Sequence, residues 1–165
     1  MKNTIKEKTV VLGIGAAVML LATIVYSHCQ IPCGIYDDPA RFDMIAEHIT
    51  TIEKSMKQIT ELSQGEKPDF NQIVRWVQNK DNHADELSHI VSYYFMAQRI
   101  KPTDKADQQA YEKYVKKIVL LHEMLVYSMK AKQTTDLSNV EKLRALLAEF
   151  RTVYFEGGQG ETHKH

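Results

Sequence analysis

The only two cysteines of the 165-residue chain, Cys29 and Cys33, stand four positions apart, with His28 directly before the first. Pro32 stiffens the short loop between them and Gly34 permits a tight return, so both sulfurs can turn onto one small ion. Thiolates favour copper, zinc or nickel over magnesium or calcium, and sulfur mixed with nitrogen in one plane suits nickel or copper. The spacing does not choose between them. A local disulfide between Cys29 and Cys33 is the alternative, since paired thiols of exported chains often oxidise. Two cysteines make no larger disulfide framework.

The segment before His28 decides whether that histidine can offer more than its ring. Lys2, Lys6 and Lys8 make a basic start, followed by an apolar run over 10–26, and Val25 and Ser27 are small residues three and one places before His28. That is the layout of a signal peptide, and cleavage after Ser27 by a leader peptidase would make His28 a new N-terminus with a free amine. Export, to a periplasm or outside the cell, and assembly of the metal site would then be one event. The alternative is an uncleaved membrane anchor, because the apolar run falls just short of the roughly 20 residues that usually span a bilayer. In that case His28 has no free amine and the hook is incomplete.

Here the residues resemble a known family. His28-Cys29-x-x-Pro32-Cys33-Gly34-x-Tyr36 is similar to the N-terminal hook of nickel superoxide dismutases, a family of four-helix bundles that lose a leader and assemble as homohexamers. The resemblance implies one nickel ion per subunit. It is held by the terminal amine and imidazole of His28, the thiolate and backbone amide of Cys29, and the thiolate of Cys33. It further implies Ni(II)/Ni(III) cycling, in which one superoxide is oxidised to oxygen and a second, with two protons, is reduced to hydrogen peroxide. Tyr36 matches the tyrosine beside the open face of the metal, as a catalytic residue that restricts access. Asp43, with Glu47 one turn further as the alternative, matches the carboxylate that supports the histidine ligand. Lys101-Pro102 resembles a Lys-Pro pair whose lysine attracts superoxide, although Arg99 and Ile100 stand where an aromatic residue is expected. Gln30 replaces the usual acidic residue after the first cysteine, which alters a neighbour of the hook and none of its ligands.

The elements that must carry this hook are legible as stripes. After an irregular arm over 28–38 rich in turn formers, Phe42, Ile45, Ile49, Ile52, Met56 and Ile59 recur at steps of three and four, which predicts an amphipathic helix from Pro39 to the breakers Gly65 and Pro68. A second helix is predicted from about Asp69 to Ile100, with Ile73, Val77, Ala84, Leu87, Val91 and Tyr94 inward, a weak point near Asn79 to Asn82, and Pro102 as its stop. A third runs from about Asp104 to Lys132 with Tyr111, Tyr114, Ile118, Leu121 and Leu125 inward. The fourth starts near Asp136 and carries Val140, Leu143, Leu147, Phe150 and Tyr154. Four helices joined by short polar connections predict an all-α antiparallel four-helix bundle over 39–156, between the hook and a polar tail over 157–165.

Lysine plus arginine balance aspartate plus glutamate at 21 each. With no long run of one sign, nothing suggests a nucleic-acid partner; the resemblance implies superoxide as substrate and further copies of the chain as partners. Without residues 1–27 the chain carries about two net negative charges. Two other metal readings compete with the dismutase. An exported nickel or copper carrier would use the same hook without turnover. A di-iron centre would use Glu86 and His89, which have the Glu-x-x-His spacing, but needs a second such motif, and His122-Glu123 has the wrong spacing. His163 and His165 read as part of a solvated tail.

Overall fold

A computed structural model describes residues 36–156. Among them the secondary structure is entirely helical: α1 (Asp38–Ser63), α2 (Phe70–His89) continued by a π-helical segment (Ile90–Arg99), α3 (Gln108–Gln133) and α4 (Ser138–Phe155). The starts follow from side chains that compete for free amides. Asp37, Asp69 and Asp107 cap α1, α2 and α3 by accepting from the amides of Ala40, Gln72 and Ala110 at 3.0–3.1 Å, and Asp136 accepts from the amide of Ser138 at 2.9 Å where α4 begins.

Contacts between neighbouring helices run in opposite directions along the chain. Ser55 meets Asn79 and His48 meets His83 across α1 and α2; Lys80 meets Ala131 and Ser88 meets Ser128 across α2 and α3. Glu123 faces Lys142 and Lys116 faces Glu149 across α3 and α4, while Asp43 reaches Arg151 across α1 and α4. The stripes predicted for α1 and α4 are buried throughout. At one end, Phe42, Phe95 and Phe150 pack with ring centroids 5.0–5.3 Å apart and Tyr154 closes the cluster.

The second helical region departs from its prediction in two places. No weak point occurs at 79–82, because Lys80 is 2% exposed and its Nζ donates to the carbonyls of Ala131 (2.8 Å) and Lys132 at the end of α3, with Asp81 beside it. That cation satisfies carbonyls a helix C-terminus leaves open. Since Lys80 already lies opposite the end of α3, Val77 one turn earlier lies past the helical part of α3, beside Ile59 of α1 in an open cleft, and is exposed rather than buried. The irregularity comes later, in the π segment, where the amide of Ile100 donates to the carbonyl of Phe95 at 2.9 Å. Bonding five residues back places side chains roughly five apart on one face, and so aligns Tyr94 with Arg99.

Candidate functional site

The first turn of α1, where the arm joins the bundle, holds a carboxylate in an unusual setting. Asp38 is 5% exposed, and among the described residues its carboxylate is met by side chains from two other helical elements. Oδ1 accepts from the Tyr94 hydroxyl at 2.6 Å and from Arg99 Nε at 2.8 Å; Oδ2 accepts from the Tyr154 hydroxyl at 2.8 Å and from Arg99 Nη2. The guanidinium fork meets both oxygens, the geometry that makes arginine–carboxylate pairs strong. Burial pushes the Asp38 carboxyl up, but hydrogen bonds from Arg99, Tyr94 and Tyr154 outweigh it and hold its pKa below the usual carboxylate value. Burial and the Asp38 charge push both phenols well above the ordinary tyrosine value. The site therefore keeps one anion, one cation and two neutral phenols across neutral pH.

Tyr36 sits on this ion pair. The Arg99 guanidinium lies over its ring at 4.3 Å from the centroid, and the Tyr94 ring meets it edge-on with centroids 5.9 Å apart. On another side, Arg41 covers Tyr94 at 5.0 Å. Arg99 thus binds Asp38 through its nitrogens and Tyr36 through its flat face, which fixes the half-buried tyrosine against the bundle.

The remaining predicted residues are dispersed over the same end. Asp43 is exposed, its side chain 71% accessible, and pairs with Arg151 of α4 at 3.1 Å. Glu47 lies exposed one turn further. Lys101, directly after the π segment, is exposed and lines a cleft of about 270 Å³ with Thr103, Asp107, Lys113, Tyr114 and Lys117. Lys117 itself reaches over the Tyr154 ring at 5.4 Å. His28, Cys29 and Cys33 lie outside the described residues. His89 is exposed and stacks on Tyr93 at 4.4 Å, and Glu86 and His122 are exposed as well.

Sequence reasoning missed Asp38, Arg99 and the hydroxyl roles of Tyr94 and Tyr154. Both tyrosines were legible only as members of apolar stripes, and a buried phenol needs a partner for its hydroxyl. Asp38 passed as a turn former before Pro39, although a carboxylate in a first turn also meets the positive end of the helix dipole. The His48–His83 contact, with Nδ1 atoms 2.8 Å apart, was missed too.

Among the described residues, no three His, Cys, Asp or Glu side chains converge as metal ligands. The donor set that fits a soft or borderline ion is the one in the sequence before them, two thiols and a histidine within six residues. A family model described as nickel-containing superoxide dismutase matches residues 23–157, which takes in that donor set and all four helices. No curated protein and no solved structure matches the chain.

Proposed function

Because the chain belongs to the nickel-containing superoxide dismutase family, an oxidoreductase family that acts on superoxide with nickel, we propose that His28, Cys29 and Cys33 hold its nickel, one ion per subunit. The observation that carries this reading is the family match over 23–157, which spans the His28-Cys29-x-x-Pro32-Cys33-Gly34-x-Tyr36 segment. The same match supports a dismutase rather than a carrier that binds metal without turnover.

The Cys29 and Cys33 thiolates, with the ionised amide of Cys29, donate the charge that a higher oxidation state requires. His28 adds its ring and, once the leader is cut, its terminal amine. Bound there, nickel supplies one-electron chemistry, Ni(II) to Ni(III) and back, as superoxide goes to oxygen and hydrogen peroxide. Tyr36 follows Cys33 by three residues, and its ring, fixed by Arg99 and Tyr94, limits what approaches and presents a phenol Oη where a small anion or water can be held. Asp43 or Glu47 supports the His28 ring, and Lys101 draws superoxide inward. Removal of 1–27 on export completes the ligand set, and the working assembly is a homohexamer.

The test uses protein from a host that processes the leader, with intact mass, metal content and superoxide decay measured on one sample beside a Cys29→Ser control. A chain starting at His28, about one nickel per chain, and loss of both metal and activity in the control are expected. Cys29 and Cys33 joined as a disulfide, with no metal after nickel loading, would refute the hook.

A further inference from the structure

Some 15 Å along α1 from Asp38, at 1.5 Å rise per residue, His48 meets His83 of α2. Their Nδ1 atoms are 2.8 Å apart and their rings, 5.1 Å between centroids, are tilted by 53°. Two Nδ1 atoms at hydrogen-bond distance share one proton, which leaves one lone pair aimed at the other ring. Both residues are half-buried, hence reachable from solvent. The Asn79–Ser55 hydrogen bond of 3.0 Å holds the register of the same two helices further along.

We propose that His48 and His83 form a second metal site, independent of the hook, in which two imidazoles on facing helices clamp a borderline divalent cation of the zinc type. Zinc–nitrogen bonds of about 2.0–2.1 Å in tetrahedral geometry separate the two nitrogens by about 3.3 Å. The rings need part by only about half an ångström for the ion to take the place of the shared proton, which passes by way of solvent to Nε2 of its own ring, so that both imidazoles ligate through Nδ1 in the neutral form. Burial, and then the neighbouring His83 charge, lowers the His48 pKa, so its ring is neutral and free to ligate at neutral pH. Glu86 and Glu47 oppose that shift, which places negative charge near the pair and favours a cation there. No third ligating side chain converges among the described residues, so water completes the coordination and a chelator can remove the ion.

The test is thermal unfolding of the full mature chain, carrying Cys29→Ser and Cys33→Ser to silence the hook, with zinc chloride and then with EDTA. Zinc bound across α1 and α2 requires the fold and raises Tm by about 5 °C, reversibly, at concentrations well above Kd. Zinc on histidines that ligate in folded and unfolded chains alike leaves Tm unchanged. The rise is expected to vanish in both His48→Gln and His83→Gln. Ring-nitrogen NMR shifts of His48 and His83 on adding zinc give the same answer without those substitutions. No rise, or an equal rise in both glutamine variants, or unmoved ring nitrogens, overturns the proposal.

Discussion

The Arg99 guanidinium stands 4.3 Å from the centre of the Tyr36 ring while its nitrogens grip Asp38. One cation therefore ties the last residues of the arm to the first turn of α1 and the end of the π segment. Tyr154 adds the end of α4 through its own bond to Asp38. A tyrosine in a loop would ordinarily sample several rotamers; this one is held from two sides by groups that are themselves hydrogen-bonded or packed. The bundle end thus prepares a fixed aromatic surface three residues after Cys33.

Asp38→Ala leaves Arg99 and two phenols buried without their acceptor, and is expected to cost about 3–5 kcal/mol of unfolding free energy, measured by urea titration. The Asp38 pKa is lowered in the folded state, so its contribution is complete above the unfolded value of about 3.9 and disappears as pH falls through the lower folded value. The variant should lose stability less steeply than the parent on acidification below pH 4. An equally steep acid limb would show that other carboxylates set it.

Arg99→Lys retains the charge but not the fork or the flat face. Loss of a cation–π contact of about 0.5–2 kcal/mol, transmitted wholly to the placement of Tyr36, lowers kcat/KM by about 2- to 30-fold. Tyr36→Leu should lower it at least as much, and the double variant no further than the worse single one. Full activity in Arg99→Lys with nickel still bound would confine this contact to folding.

The His48 pKa is lowered first by burial and then by His83, against the opposing pull of Glu86 and Glu47. A depressed folded pKa means that the unfolded chain takes up a proton first. Stability is therefore complete above about pH 6.5 and declines as pH falls through the folded value. Unfolding free energies measured in EDTA between pH 7 and pH 5 should fall for the parent chain and flatten in His48→Gln. An unchanged slope in that variant would assign the titration to other groups.

What could be read in advance follows from which interactions are local. The steps of three and four in Phe42, Ile45, Ile49 and Ile52 state a helix and its buried face together, because period and burial have one cause. Asp38 makes its bonds to residues 56, 61 and 116 positions away, and no local pattern encodes such a meeting. The π segment is similarly silent, since a short run of wide turns leaves the apolar stripe of Ile90, Val91, Tyr94 and Phe95 intact. Val77 illustrates the opposite error: its period is right, but the neighbouring helix ends too soon to cover it. At His28, Cys29 and Cys33, outside the described residues, the local spacing left a disulfide open, and it is the whole His28-Cys29-x-x-Pro32-Cys33-Gly34-x-Tyr36 pattern that carries the family resemblance, which the family match over 23–157 supports.

Lys101 is exposed at a cleft that Lys113 and Lys117 also line, and superoxide is a small anion. A charge acting at a distance on a diffusing anion changes the encounter rate and is screened by salt. Lys101→Gln is expected to lower kcat/KM by about two- to tenfold at low ionic strength. The gap should close towards about 1 M salt, where the Debye length is about 3 Å. Stopped-flow superoxide decay across a salt series reads this directly. The same relative loss at every ionic strength would mean that Lys101 acts by contact at the site, whereas no loss at low salt would remove it from the path of the substrate.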